Sequence, residues 1–192
     1  MVVWRESGPL GRQPLIDAAN RLWSTRVHEC RMAAVELLVL GGDELEAGDV
    51  PMLERLLRES RTWALVDPLA ASVVGRLDER VGIGPDLERW ATDPDFWMRR
   101  SALLAHLMQL RSGVGTTDRF LRFADVMLDE SEFFIRKAIG WGLRELGKKR
   151  PAVVEAWLAP RVHRASGVTM REAVKPLDAL TAERLMAEYR RH

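Results

Sequence analysis

Asp67 stands four residues after Trp63, a spacing that puts carboxylate and indole one above the other on a single helix face. Two more aromatic-and-charge groups follow, at Trp97-Met98-Arg99-Arg100 and along Glu132 to Trp141. A fixed carboxylate stabilises developing positive charge and can orient an attacking water. An indole face attracts cationic character, at roughly 0.5–2 kcal/mol. Aromatics at helical spacing are core more often than site, but tryptophan beside arginine or aspartate on three successive helices shifts that balance. Asp67 itself allows two readings. Followed by Pro68 it is a good N-cap and first-turn pair. In mid-helix it would instead be a carboxylate facing a groove, and Pro68 would bend the helix locally.

The elements that must position these residues are helices. Met32, Val35, Leu38 and Val39 line one face; Val66, Leu69, Ala70, Val73 and Leu77 line another. Leu103, Leu104, Leu107 and Leu110 continue the pattern, as do Phe134, Ala138, Trp141 and Leu146. Breakers separate the runs at Gly41-Gly42, Gly82 to Pro85, Asp93-Pro94, Gly113 to Gly115 and Gly147 to Pro151. Period-two alternation is essentially absent, so no sheet is expected.

A repeat runs through these helices. Phe96 to Ala102 reads against Phe133 to Ile139 at an offset of 37, Arg171-Glu172-Ala173 lies 35 beyond Arg136, and Arg31-Met32-Ala33 lies 68 before Arg99. A period in the mid-thirties with two helices per unit marks an all-α fold, an α-solenoid of HEAT-like pairs whose inner helices line a concave face. Ala33, Ser101, Ala138 and Ala173 keep one slot of the repeat small, whereas the skipped unit carries Asp67 there. A carboxylate buried at that slot needs a partner.

Composition bounds the rest. The chain has 192 residues, 47% hydrophobic and 30% charged, with a net charge of +1, as expected of one globular domain rather than a disordered or nucleic-acid-coating chain. Single Cys30 excludes an internal disulfide and suits a reducing compartment. The apolar stretch from Ala33 to Leu40 is too short to span a bilayer, and Met1 to Arg5 does not lead into a signal-peptide core. A cytoplasmic protein is expected.

The run Glu132-Phe-Phe-Ile-Arg-Lys-Ala-Ile-Gly-Trp-Gly-Leu-Arg-Glu145 resembles the strongest signature of the AlkD-like DNA alkylation repair proteins. Asp95 to Ala102 is similar to that family's tryptophan-x-x-arginine element, Thr169 to Lys175 to its closing arginine-glutamate-alanine helix, and Thr62 to Asp67 to its tryptophan–aspartate element. The likeness runs from about residue 26 to 177. It implies a curl of HEAT-like repeats holding duplex DNA on its concave face, and excision of cationic N3- and N7-alkylated purines without a base-binding pocket. By that resemblance Asp67 is the catalytic carboxylate, Trp63 and Trp141 flank the lesion-bearing nucleotide, and Arg100 contacts the DNA backbone. Arg136, Lys137, Lys148 and Arg171 are weaker candidates for phosphate contact, since salt bridges within the solenoid explain them equally well. The expected partner is double-stranded DNA carrying alkylated bases, met by a monomer in the nucleoid-associated cytoplasm, with no membrane, metal or cofactor. Residues 1–24 are expected to form an N-terminal segment shorter than the family's, and 25–192 the repeat domain, within one domain overall. The rival reading is a non-catalytic HEAT module that binds DNA or a protein through the same face.

Three other patterns lead nowhere. Gly142 to Lys149 approaches a phosphate-binding loop but lacks its closing Ser or Thr and a preceding strand, and suits a helix C-terminus better. His28, His106, His163 and His192 show no metal-ligand spacing. Cys30 has no activating histidine in reach.

Overall fold

The computed structural model describes residues 10–115 and 117–191, so residues 1–9 of the expected N-terminal segment, and His192, lie outside it. The described residues form helices, turns and bends, with no strand among them. The first helices are α1 (Arg12–Ser24), α2 (His28–Gly41), α3 (Val50–Ser60), α4 (Trp63–Pro68), α5 (Gly75–Val81) and α6 (Gly84–Trp90). They continue as α7 (Phe96–Leu104), α8 (Leu107–Ser112), α9 (Asp118–Val126), α10 (Phe133–Gly147), α11 (Pro151–Leu158), α12 (Gly167–Ala173) and α13 (Ala179–Tyr189).

Two of the apolar faces drawn from the sequence are fully buried here, while Met32, Val39, Phe134 and Trp141 of the other two are only partly so. Val66, Leu69, Ala70, Val73 and Leu77 are closed off from solvent, as are Leu103, Leu104, Leu107 and Leu110. Burial on this pattern is worth about 1.5–3 kcal/mol for each large side chain and drives the helices into two layers. In one layer α2 packs on the α4–α5 region, that region on α7, α7 on α10, and α10 on α12. The other layer supplies α1 against α2, α3 against α4 and α7, α6 and α9 against α7, and α11 against α10. Polar bonds between units recur at the repeat spacing. Arg12–Asp49, Arg58–Asp93, Arg161–Asp125 and Lys137–Glu172 join residues 37, 35, 36 and 35 positions apart.

Helix starts are fixed by side chains. Asp95 accepts from the Trp97 amide at the head of α7, and Glu132 from the Phe134 amide at the head of α10. These acid caps set the entry of the two helices that carry Arg100, Lys137 and Trp141. Gly113 closes α8 and Gly82 closes α5 in the left-handed region, where a glycine costs least.

The stretch from Trp63 to Val81 is one continuous helical rod with an irregular middle. Pro68 has no N–H, and its ring collides with the carbonyl four residues back in a regular α-helix. The strain is taken up at once by a π-helical stretch, Leu69–Val74, in which the bonding register widens by one residue. The Leu69 amide is shared between the Leu65 and Val66 carbonyls at the changeover. Further along the rod, a Cβ on Gly75 would come within 2.3 Å of the Ala105 carbonyl oxygen. Only glycine lets the rod press this closely on the bend between α7 and α8.

Candidate functional site

Asp67 lies inside the α4–α5 rod, with Thr62 as the residue that precedes the helix. Its carboxylate does not cap its own chain. Arg100 Nε donates to Oδ1 at 2.8 Å and Nη2 donates to Oδ2 at 2.7 Å, a two-point grip from the neighbouring unit. The third arm of the guanidinium, Nη1, donates to the Phe134 carbonyl on α10. The buried slot thus has its compensating charge. Asp67 remains 15% exposed, while Arg100 is only 3% exposed.

The exposed part of Asp67 opens into a cleft of about 400 Å³. Trp63, Asp67, Arg100, Phe133, Phe134, Lys137, Trp141 and Arg144 line it. Trp63 is 57% exposed, and Phe133 beside it is also largely in solvent. Trp141 is half-buried, and the Arg111 guanidinium sits 5.4 Å from the centre of its ring. Beneath them Phe134 packs against Trp97 with ring centres 4.9 Å apart, which stiffens the floor under Arg100. The cationic wall comes from α10. Lys137 and Arg144 lie seven residues apart, two turns along one face, and both pair with Glu172 of α12.

The expected residues divide in three. Trp63, Asp67, Lys137 and Trp141 come together at the cleft. Arg100 lines it too, but is buried behind Asp67 with all three arms engaged, so in this structure it holds a carboxylate and is not presented to solvent as a backbone clamp. Arg136, Lys148 and Arg171 lie outside the lining. Arg136 Nε donates to the Glu130 carbonyl at 2.7 Å, Lys148 pairs with Glu145 at 2.9 Å, and Arg171 is exposed on α12.

Arg144, Phe133 and Phe134 were not singled out from the sequence as site residues. Arg144 could have been, since it follows Trp141 by three and Lys137 by seven, which puts all three on one helix face. Glu172 is the other omission. Burial pushes its carboxyl up, but the hydrogen bonds from Lys175 and Lys137 and the charge of Arg144 outweigh that and hold it at about 2. Among the described residues, no three His, Cys, Asp or Glu side chains gather as metal ligands would, and no helix is long and apolar enough to cross a membrane.

No curated protein matches the chain. Among solved structures, one described as a predicted DNA alkylation repair enzyme from Enterococcus faecalis superposes with a TM-score of 0.78. The match covers 92% of this chain and 82% of that one at 24% identity, a likeness of fold. A family model for DNA alkylation repair enzymes matches residues 3–177, beginning well before the likeness visible from the motifs alone. With nearly the whole chain matched and the cleft intact within the match, the chain belongs to the DNA alkylation repair enzyme family.

Proposed function

We propose that this protein is a DNA glycosylase that removes cationic N3- and N7-alkylated purines from duplex DNA. One observation carries the reading: a partly exposed carboxylate, held from behind by Arg100, opens into an aromatic cleft that also holds Lys137 and Arg144. Alkylation at N3 or N7 makes the purine cationic, so the base departs neutral and needs no acid from the protein. The sugar left behind gains oxocarbenium character. Asp67 lies in a site that suits that charge and can orient a water on it, as the carboxylates of sugar hydrolases do. Each carboxylate oxygen has two acceptor sites, and Arg100 uses one on each, so acceptor capacity remains on the cleft side. Water attack on the anomeric carbon then gives an abasic sugar and a neutral free base, with the proton lost by the water passing by way of the Asp67 carboxylate to solvent.

The other lining residues divide the nucleotide between them. Trp63 and Trp141 present indole faces to the sugar and the cationic base. Lys137 and Arg144 offer their charges to the adjoining phosphates. Arg100 acts as the holder of Asp67, fixing its orientation before substrate arrives. Arg136, Lys148 and Arg171 would at most meet the duplex farther along.

A second reading, a non-catalytic module binding DNA or a protein through the same cleft, draws on the fact that both Asp67 oxygens already accept from Arg100. Incubation with methylated duplex DNA and quantification of free 7-methylguanine and 3-methyladenine separates the two. Release of free base with an equal yield of abasic sites supports the glycosylase. Duplex binding with a steep salt dependence and no release leaves the binding module.

A further inference from the structure

We infer that Glu172 is a positioning residue for the cleft. On this account a carboxylate that never touches the nucleotide holds Lys137 and Arg144 where its phosphates arrive. The inference rests on the function proposed above and extends it to a residue on the opposite helix.

Glu172 is only 7% exposed and sits at the centre of three cations. Oε1 accepts from Lys137 Nζ at 3.0 Å and from Lys175 Nζ at 2.9 Å, while Oε2 accepts from Arg144 Nη1. Two of those cations, Lys137 and Arg144, line the Asp67 cleft, and Glu172 itself does not. The approach that makes this possible is built into α10. A Cβ on Gly140 would come within 2.9 Å of the Glu172 Cβ and 3.2 Å of the Thr169 Cα, so the two helices meet almost backbone to backbone midway between Lys137 and Arg144. Thr169 Oγ1 donates to the Arg136 carbonyl at 3.1 Å and pins the same contact.

On its other side Arg144 has only a loose ionic neighbour. Its Nε lies 3.6 Å from Glu145 Oε1, too far for a hydrogen bond, and is buried without an acceptor. The Nη1 bond to Glu172 is therefore what sets the direction of this guanidinium. Without Glu172, two long cationic side chains on one face of α10 repel each other and gain rotamer freedom by turning to solvent.

The sign of the effect separates positioning from plain surface charge. Removing a carboxylate beside a phosphate-binding wall makes the wall more positive, so electrostatics alone predicts tighter DNA binding and a steeper salt dependence. Positioning predicts the reverse. With Glu172→Gln, duplex binding followed by fluorescence anisotropy should weaken about tenfold, as when one partner of a hydrogen-bonded charge pair is lost. The slope of log affinity against log salt should shrink by about one phosphate equivalent. Single-turnover release from saturating protein should fall by no more than about threefold, because Asp67 is untouched.

The decisive arm is a cycle in the Lys137→Met, Arg144→Met background. There Glu172→Gln should have no further effect on affinity, whereas a purely structural role would cost the same in both backgrounds. Tighter binding on Glu172→Gln, unchanged binding, or an equal loss in both backgrounds each overturns the inference. Should Glu172→Gln fail to fold, Glu172→Asp replaces it. It keeps the charge but cannot span the three cations, so weakened binding supports positioning and unchanged binding refutes it. Binding is read on unmodified duplex and without turnover. Absence of base release by the wild type would therefore sink the glycosylase reading while leaving the role of Glu172 to be decided by these arms.

Discussion

Arg58 grips Asp93 through hydrogen bonds of 3.0 and 2.6 Å, and Arg100 grips Asp67 through bonds of 2.8 and 2.7 Å. Both pairs bridge neighbouring units, across 35 and 33 residues. Their surroundings differ. Asp93 also accepts from the Asp95 amide and so ties down the loop that leads into α7, while Arg58 stays more than a third exposed. Arg58 holds the Asp93 carboxyl below the usual range through its hydrogen bond, working against burial. In the other pair it is the arginine that is buried, and the aspartate opens onto an aromatic cleft. The first arrangement is one of several polar bonds that join neighbouring units. The second places a desolvated guanidinium behind one carboxylate that opens onto a cavity, the arrangement the proposed chemistry calls for.

The largest contrast expected from substitution is between the two arginines. Arg100→Lys removes the two-point grip and leaves a buried ammonium to find its own acceptors. Base release should drop by about 100-fold, with stability falling by up to about 3 kcal/mol in denaturant unfolding. Arg58→Lys should leave release unchanged. If both variants lost activity equally, the cleft pair would have no special standing.

Acid should act next, through the bend that supports Arg100. His106 is buried where α7 meets α8, its Nε2 accepting from Arg119 Nε at 2.8 Å, so Nδ1 carries the proton and donates to the Ala102 carbonyl. Burial, reinforced by the charge of Arg119, lowers its pKa to about 4. In the unfolded chain it takes up its proton near 6.5. Its neutral form therefore contributes stability that is complete above about 6.5 and drains away as the pH falls toward about 4, by at most about 3 kcal/mol. Thermal melts through that window should fall steeply for the wild type and less steeply for His106→Gln. Equal slopes would contradict the assignment.

The two indoles should part company by a smaller margin. Trp63→Ala removes a mostly exposed side chain and should cost activity about tenfold with stability changed by less than about 0.5 kcal/mol. Trp141→Ala also strips the stacking surface from under Arg111, so it should lose activity and about 1–2 kcal/mol of stability together. The smallest effect belongs to the outer junction, where Arg58→Lys should cost about 1 kcal/mol or less, as measured by urea unfolding.

How much of this was legible in the residues varies along the chain. The apolar faces of the α4–α5 rod and of α7 follow from helical period alone, because burial enforces that period. The repeat was visible at its inner helices, and the ion pairs at the same spacing give it a physical basis. Trp63 and Asp67 could be placed on one face, but Pro68 left two paths open. The sequence could not choose between them, since whether a π-helical detour can absorb Pro68 depends on what the rod packs against. Arg100 shows the limit most clearly. Its slot was evident, but whether it turned to solvent or inward depended on a carboxylate 33 residues away. Arg171 and Glu172 show the same limit on one turn: neighbours on a helix point about 100° apart, and it is the acid, not the base, that reaches the cleft cations.

The most direct test of the central claim is single-turnover release of 7-methylguanine by Asp67→Asn, with protein in excess over a methylated duplex. The substitution keeps the size of the side chain and one of the two acceptors for Arg100, but it removes the charge and puts an amide donor where the second oxygen accepted. Aiming that charge at the sugar predicts a rate about 100- to 1,000-fold below wild type, with affinity for the same duplex within about threefold. A rate equal to wild type would mean that the carboxylate in the cleft does no chemistry.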